Sequence, residues 1–169
     1  MDFENVSLRP FNSEDLDQIL DMVTSSKVNR TYMLPDYESR SDAIPLFQRL
    51  KNRSADEAHF VRCIGMNGAA IGFLNDVEIT DATIELGYVI HPDYHNRGYM
   101  TRALKLAIKD LFERGYKVVI CGAFEENKAS QRVMEKAGMV PVEKTEVIAY
   151  RGLDHLCVYY QIRNEESSC

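Results

Sequence analysis

Hydrophobic residues recur along this chain with two different spacings, which predict strands in some segments and helices in others. In residues 83–91 apolar side chains occupy every second position, the period of a strand with two different faces. After Gly98 the apolar residues follow the spacing of an amphipathic helix, which is predicted to end at Gly115. The apolar positions of this helix are Met100, Ala103, Leu104, Ala107, Ile108, Leu111 and Phe112.

The same patterns predict the element order β-α-α-β-β-β-α-β-α-β-β. Strands are predicted over residues 6–11, 59–66, 69–78, 83–91, 117–122, 140–150 and 155–162, and helices over about 13–23, 42–53, 99–114 and 128–137. Residues 27–40 are polar and contain Pro35, which predicts a loop or a broken helix. Asn67-Gly68 predicts a hairpin turn. Residues 83–122 read as a strand–helix–strand unit, so its two strands should be parallel with a right-handed crossover.

Length and composition are those of one α/β domain. The chain has 169 residues, of which 45% are hydrophobic and 27% charged. We expect the domain to cover residues 1–163, followed by a polar tail at 164–169. No apolar run approaches the roughly 18 residues of a membrane span, and the acidic, polar N-terminus is unlike a signal peptide. The sequence therefore predicts a cytoplasmic protein with no membrane partner.

The net charge indicates which partners the protein favours, and the cysteines indicate whether it holds disulfides or zinc. A net charge of −6 and a pI near 5.3 argue against a nucleic-acid surface and favour cationic partners such as amines. The four cysteines are far apart and form no CxxC pair: Cys63, Cys121, Cys157 and Cys169. The first three lie in apolar strand-like segments, so we expect buried free thiols and neither a disulfide framework nor a zinc site. The histidines lack the spacing of a metal site: His91, His95 and His155.

One segment carries a recognisable binding geometry. The strand at residues 83–91 stops at Pro92, crosses a short polar loop and turns through Arg97-Gly98 into a helix. The first turn of a helix leaves backbone N–H groups without partners and carries positive potential, and a glycine there lets an anion approach closely. The spacing is neither GxGxxG nor GxxxxGK[ST]. It predicts a cradle for the pyrophosphate of some phosphate-bearing ligand.

The element order and this cradle resemble the GNAT superfamily of acyl-CoA-dependent N-acyltransferases, over nearly the whole chain. Within it, ELGYVIHP at residues 85–92, Arg97-Gly98-Tyr99, NKAS at 127–130 and EKAGM at 135–139 are similar to the branch of ribosomal-protein N-terminal acetyltransferases, which includes many small-amine acetylases. The cradle pattern of that branch is Gln/Arg-x-x-Gly-x-Gly/Ala. This chain has HNRGYM at residues 95–100, which departs at the first and last positions.

The resemblance implies a mixed, mostly antiparallel sheet with helices on both faces, in which the parallel fourth and fifth strands splay apart. It also implies that acetyl-CoA lays its pyrophosphate on the amides of the cradle and its pantetheine arm beside the fourth strand, as β-augmentation. The residues assigned to the coenzyme are His95, Asn96, Arg97, Gly98, Tyr99, Met100, Thr101, Val89 and Ile90, with Asn127 at the pantetheine amide or as a helix cap. A strand glycine often marks a bulge, and Gly87 is the predicted place for the bend that the splay requires.

Acetyl transfer to an amine needs a base, an oxyanion donor and a proton for the leaving thiolate. Glu85 is the predicted base, directly or through a water, with an exposed or ion-paired strand residue as the alternative. A backbone N–H near Val89 or Ile90 is the predicted oxyanion donor.

The donor to the departing thiolate is predicted from the same resemblance. Ser130 is the family-like candidate, with helix capping as the alternative role for it and for Asn127. Many relatives have a tyrosine acid seven residues after the asparagine, where this chain has Met134. Tyr88 and Tyr150 are the other candidates for that role.

The resemblance thus implies an acetyl-CoA-dependent N-acetyltransferase that acts on a primary amine, either a protein N-terminus or a small molecule, by direct transfer in a ternary complex without a metal. Only Cys121 lies in the motif segments, which argues against a covalent acetyl-enzyme. A CoA-binding regulatory or interaction module is the first alternative. A nucleotide-phosphate enzyme ranks last, because the chain lacks a P-loop lysine and an acidic cluster with metal spacing.

The acceptor and the oligomeric state are less constrained. Residues 27–37 and the hairpin at Arg151-Gly152 are predicted to line the acceptor groove, with Tyr32, Asp36 and Tyr37 as contacts or as parts of a solvated loop. Many relatives dimerise, so a homodimer is compatible with the resemblance, although no residue demands one.

Overall fold

Residues 5–167, which the computed structural model describes, form seven strands and five α-helices. The strands are β1 (Val6–Arg9), β2 (Val61–Met66), β3 (Ala69–Thr80), β4 (Thr83–Ile90), β5 (Val118–Phe124), β6 (Val140–Tyr150) and β7 (Leu153–Arg163). The helices are α1 (Leu16–Val23), α2 (Ser26–Asn29), α3 (Ile44–Ser54), α4 (Tyr99–Glu113) and α5 (Lys128–Lys136). Cys169, at the end of the predicted tail, lies outside the described residues.

The strands form one sheet in the order β1-β2-β3-β4-β5-β7-β6. Every neighbouring pair is antiparallel except β4 and β5, which are parallel. Their pairing covers only Thr83–Leu86 against Val118–Cys121, although β4 continues to Ile90 and β5 to Phe124. The predicted mixed sheet with a splayed parallel pair is therefore confirmed, and a gap opens between the two strands beyond Leu86 and Cys121.

The predicted elements are present, with differences at their ends. The segment 27–40 contains the short helix α2 and a loop, and a 3-10 turn at Arg40–Ala43 leads into α3. Strand β3 runs to Thr80 because a tight turn at Asp81, with φ of 53°, pairs Thr80 with Thr83. The Asn67-Gly68 hairpin turn is confirmed, since both residues have positive φ, at 51° and 83°.

The prediction of a bulge at Gly87 is wrong. Gly87 pairs in register with Asn75, and the extra residue is Val77 on β3, where Asp76 faces Leu86 and Glu78 faces Glu85. A bulge places two residues of one strand opposite one of its partner, and the bulged strand bends. The absence of a side chain at Gly87 leaves space for Val77, whose Cγ2 atom lies 3.4 Å from the position that a Cβ of residue 87 would take.

Two hydrophobic clusters cover the two faces of the sheet. The α4 face is the side on which Ile84, Leu86 and Ile90 of β4 pack with residues of α4 and with Met134 of α5. The α1 face is the opposite side, where Val89 and Phe73 pack with α1 and α3. Free cysteines 63, 121 and 157 are buried in the sheet, as predicted. Both clusters meet at β4, so this strand positions side chains in either direction.

A buried ion pair fixes the start of the chain. Two nitrogens of the Arg9 guanidinium each lie 2.8 Å from a carboxylate oxygen of Asp15, whose side chain is 3% exposed. The Asn12 N–H also donates to Asp15, at 2.9 Å. Burial alone would raise the pKa of Asp15, but these hydrogen bonds hold it below the ordinary value. The pair ties β1 to the start of α1.

Candidate active site

A cleft of about 570 Å³ passes through the gap between β4 and β5. On the α4 face it starts at the N-terminus of α4 and is bordered by α5. On the α1 face it reaches the segment 28–33 and the strands β6 and β7. The residues of β4 that line it run from Glu85 to Ile90. The cleft therefore connects the predicted cradle with the predicted base.

The loop before α4 has the geometry of an anion cradle. Gly98 is the N-cap of α4 with φ of 80°, and Asn96 also has a positive φ, of 59°. Within residues 5–167 no side chain caps the first turn of α4. This turn is the positive end of a helix of 15 residues, which favours an anion there.

The predicted coenzyme residues of this loop divide into two groups. His95, Asn96, Gly98, Met100 and Thr101 line the cleft, whereas Arg97 in the loop and Tyr99 at the start of α4 are absent from the lining that the described residues form. Met100 is only 6% exposed and packs in the α4-face cluster. This burial explains how a bulky residue is accommodated where the family pattern has glycine or alanine.

Of the two backbone N–H groups predicted as oxyanion donors, those of Val89 and Ile90, one points into the gap between β4 and β5. The His91 N–H donates to Ile71 O of β3, at 2.7 Å. Successive residues of a strand point their backbone groups to opposite sides. The Ile90 N–H therefore points toward the gap, and the Val89 N–H points toward β3. On the gap side, the His95 Nε2 atom lies 3.1 Å from Ile90 O.

Glu85 lies on the α1 face at the end of the β4–β5 pairing, and its side chain is half-buried. Burial raises the pKa of the Glu85 carboxyl. Lys144 opposes this rise, while the neighbouring carboxylates of Glu78 and Glu146 add to it. A carboxylate with a raised pKa is a stronger base near neutral pH than an ordinary one, so this position suits proton abstraction.

Tyr88 and Ser130 meet across the gap. The Tyr88 hydroxyl lies 2.6 Å from Ser130 Oγ and donates to Ser130 O at 3.1 Å. Ser130 N donates in turn to Asn127 Oδ1 at 3.2 Å, so Asn127 caps α5. Burial raises the pKa of Tyr88, which keeps its hydroxyl protonated. Three polar residues from β4 and α5 are thus joined at the positive end of a helix.

Tyr150, the other tyrosine predicted as a proton donor, forms hydrogen bonds that connect two parts of the fold. The Tyr150 hydroxyl donates to Asn29 O at 2.7 Å and accepts from Leu34 N at 3.2 Å and Arg151 Nε at 2.8 Å. It joins the β6–β7 hairpin to the segment that follows α1. Tyr150 does not belong to the lining that the described residues form.

Of the three residues predicted to contact the acceptor, one lines the cleft and two do not. Tyr32 lines it, and its hydroxyl donates to Asn75 Oδ1 at 2.8 Å. Asp36 forms an ion pair with Arg151, and neither residue belongs to the lining within residues 5–167. Tyr37 packs against the α1-face cluster and is also absent from that lining.

Sequence reasoning missed several lining residues. Arg132 and Lys136 lie four positions apart on α5 and bring two cations to the cleft, a spacing that the sequence displays. Val77 and Tyr159 line the α1-face side, where their positions depend on strand register and on the bulge in β3.

Within the described residues, no group of three or more His, Cys, Asp or Glu side chains could hold a metal ion. None of the described helices has the length and apolar character that crossing a bilayer requires.

Comparison with known proteins places the fold. Residues 5–140 match the model of the acetyltransferase (GNAT) domain. The spermidine N(1)-acetyltransferase of Escherichia coli strain K12 is 28% identical over 106 residues, which cover 62% of this chain. The matched segment spans 55% of that enzyme, so this chain corresponds to about half the length of the curated relative.

Two solved structures share the architecture. The spermidine N-acetyltransferase from Vibrio cholerae, in complex with CoA and spermine, superimposes with a TM-score of 0.80 and 18% identity, covering 95% of this chain and 96% of its own. RimL, a ribosomal L7/L12 alpha-N-protein acetyltransferase in complex with coenzyme A, has a TM-score of 0.83 and 16% identity, with 94% of each chain covered. At these identities the likeness concerns the fold.

Proposed function

This chain belongs to the acetyltransferase (GNAT) family, and we propose on that basis that it transfers the acetyl group of acetyl-CoA to a primary amine. The observation that carries the proposal is the continuous cleft from the N-terminus of α4, through the β4–β5 gap, to Glu85. Both substrates would occupy it at once, with the coenzyme on the α4 face and the amine on the α1 face. Transfer would then be direct, in a ternary complex.

The coenzyme half is supported by the charge and geometry of the cradle. The amides of residues 96–101 would hold the pyrophosphate at the positive end of α4. Arg132 and Lys136 add cations along the same side of the cleft, which suits the further phosphate of coenzyme A. Asn127 uses its side-chain oxygen to cap α5, and its amide NH₂ group is the donor that we assign to the pantetheine arm.

The middle of the cleft is supported by backbone geometry. The Ile90 N–H, which strand alternation directs into the gap, would donate either to the pantetheine arm or to the oxygen of the thioester carbonyl as it becomes negative. His95 would orient this strand end through its contact with Ile90 O.

The chemical step needs a base and an acid on opposite faces of the sheet. Glu85 would accept the proton that the ammonium group loses, and the free amine would then attack the thioester carbonyl. Attack leaves the nitrogen positively charged, and it loses its second proton as the carbon–sulfur bond breaks. The thiolate would receive a proton from the Tyr88–Ser130 pair, which the proton released by the nitrogen replaces through solvent. The positive end of α5 would stabilise the sulfur charge until that proton arrives.

The finer placement, in the branch of ribosomal-protein N-terminal acetyltransferases, rests on the sequence motifs. Structures with this fold act on acceptors as different as a polyamine and a ribosomal protein, as the names of the two solved enzymes state. A small-molecule amine and a protein N-terminus both therefore belong to the proposal. Dimerisation stays a prediction.

The experiment combines binding with turnover. Titration calorimetry with coenzyme A should detect binding, and a thiol-reactive dye should detect coenzyme A released from acetyl-CoA only when an amine is present. Binding without amine-dependent thiol release, over a panel of alkylamines, polyamines and peptides, would favour the CoA-binding module instead. Absence of binding would remove the proposal altogether.

A further inference from the structure

Two glycines face each other where the sheet opens. Leu86 and Cys121 are the last paired residues of β4 and β5, and both side chains pack in the α4-face cluster. Side chains alternate along a strand, so the next residues, Gly87 and Gly122, present their missing side chains to the α1 face. Both glycines line the cleft: Gly87 lies two residues beyond Glu85 on β4, and Gly122 lies two residues beyond Ile120, the residue of β5 that pairs with Glu85. The entrance to the gap is therefore bare of side chains from the two strands that form it.

Side chains from the neighbouring strands occupy part of that space. On β3, Asn75 Oδ1 and the Cγ2 atom of the bulged residue Val77 lie 3.3 and 3.4 Å from the position that a Gly87 Cβ would take, and Asn75 Oδ1 already accepts from the Tyr32 hydroxyl. The ring of Tyr159, on β7, lies 2.8 Å from the corresponding position at Gly122. An aliphatic and an aromatic side chain thus flank the opening from opposite sides.

The tyrosine ring is held in place from its outer side. The Tyr159 hydroxyl donates to Glu146 Oε2 at 2.7 Å, and Lys144 Nζ lies 4.3 Å from the ring centroid. The Glu146 carboxylate accepts this bond at one oxygen and keeps its charge, which the Lys144 ammonium group nearby offsets in part. Glu78 is exposed, so its charge acts on the opening more weakly than the charge of Glu85 does. Glu85 is the half-buried carboxylate that an amine in this opening would meet.

Apolar surface in this part of the cleft is exposed. Val77 is 59% exposed and Met33 is 51% exposed, and both line the cleft on the α1 face. Ile148 contributes further apolar lining from β6. Exposed apolar side chains gathered in a cleft are typical of a ligand contact.

We infer that the acceptor enters between Val77 and Tyr159, and that these two side chains select a primary amine carried by an unbranched apolar arm with a single positive charge. This inference rests on the proposed acetyltransferase function and names its substrate class. The amine reaches Glu85 while the arm lies against the valine, the tyrosine ring and Met33. A polyamine would place its second ammonium group against the side chains of Val77 and Met33, which offer it no hydrogen-bond acceptor, and near the Lys144 ammonium group, which repels it.

The test is a comparison of kcat/KM over a series of acceptors at saturating acetyl-CoA, read as thiol release. The series contains propylamine, butylamine, pentylamine, hexylamine, 2-phenylethylamine, spermidine and a tetrapeptide with a free N-terminus. Each buried methylene should raise kcat/KM about three- to fourfold. Hexylamine should exceed spermidine by about tenfold or more, since burying an unpaired charge is unfavourable.

Two substitutions probe the flanking side chains separately. Val77→Thr keeps the shape but adds a hydroxyl, and it should flatten the dependence on chain length without changing affinity for coenzyme A. Tyr159→Phe keeps the ring but releases Glu146, so the ratio of spermidine to hexylamine kcat/KM should rise about fivefold or more. Val147→Thr is the matched control, because Val147 is equally exposed, at 65%, but lies outside the cleft lining.

The possible results distinguish a failure of the inferred acceptor class from a failure of the proposed acetyltransferase function. Turnover that favours spermidine or the peptide, or that is independent of chain length, would overturn the inference and leave the acetyltransferase proposal standing. Identical responses of Val77→Thr and Val147→Thr would also overturn it. If no amine releases thiol although coenzyme A binds, the proposed function fails, and the inference fails with it.

Discussion

The hydroxyl of Tyr88 lies 2.6 Å from the hydroxyl of Ser130, although the two residues are 42 positions apart in sequence. One belongs to β4 and the other to α5, so the contact spans the gap through which the cleft passes. The family resemblance leads one to look for a tyrosine on α5, at the position of Met134, which is buried here. In this chain an aromatic hydroxyl comes from the strand instead and reaches the first turn of that helix.

This contact predicts that Tyr88→Phe lowers kcat about 10²-fold or more, because the leaving thiolate loses its proton donor. The KM for acetyl-CoA should change little, since the ring still fills its site. Ser130→Ala should lower kcat less, because the Tyr88 hydroxyl remains. Steady-state kinetics with thiol detection measure both, and Tyr116→Phe, at the other end of the sheet, is the control. Equal activity of Tyr88→Phe and Tyr116→Phe would assign the role elsewhere.

Glu85 should give the pH profile its acidic limb. The base acts when ionised, so kcat/KM should rise with pH through the pKa of Glu85, which burial raises above its ordinary value of 4.5. Glu85→Gln should remove that limb and lower kcat about 10²- to 10³-fold, with affinity for coenzyme A unchanged.

The neighbouring carboxylate supplies an internal check. The charge of Glu78 adds to the raised pKa of Glu85, so Glu78→Gln should move the limb to lower pH while leaving the maximal rate nearly intact. A limb that persists in Glu85→Gln would mean that another group accepts the proton.

Gly98 should determine affinity for the coenzyme. Its φ of 80° disfavours a side chain, and any Cβ there stands beside the amides that form the cradle. Gly98→Ala should weaken binding of coenzyme A about tenfold or more by calorimetry. Gly115→Ala is the matched control, because Gly115 has φ of 101° at the other end of α4 and faces open space. Both variants should lose about 1 kcal/mol of stability, so only a loss of affinity specific to Gly98→Ala supports the cradle.

The Arg9–Asp15 pair should control acid stability. The pKa of Asp15 is lowered in the folded state, so its stabilising contribution is present above its unfolded pKa of about 4 and is lost as pH falls through the folded value. Asp15→Asn should cost about 2–4 kcal/mol in urea unfolding at pH 7, because it leaves the arginine without its charge partner.

The same substitution should flatten the acid limb of the stability curve. Asp110→Asn, which breaks the more exposed pair with Arg114, should cost less than about 1 kcal/mol. Similar losses in the two variants would show that burial of the Arg9–Asp15 pair contributes nothing extra.

Sequence periodicity was enough to predict the strands, the helix after Gly98 and the parallel pair, because each depends on local spacing or on one short crossover. The turn at Gly98 that begins α4 could be predicted for the same reason, since it belongs to one continuous segment. The site on the α1 face could not, because it depends on strand register. Val77 faces the cleft only because of the bulge, and Tyr159 reaches Gly122 only because β7 lies beside β5. The prediction of a bulge at Gly87 is wrong for this reason, because a glycine in β4 carries no information about an extra residue in β3.

The pairing between β4 and β5 ends where the cleft begins. Only four residues of each strand pair, whereas β5 is paired with β7 along its whole length from Val118 to Phe124. The Ile90 amide should therefore exchange its proton with solvent rapidly in the free protein and slowly once coenzyme A is bound, while the Val89 amide exchanges slowly in both states. Coenzyme A bound in the gap would accept a hydrogen bond from the Ile90 N–H. A slower exchange rate at Ile90, with an unchanged rate at Val89, would therefore detect its binding.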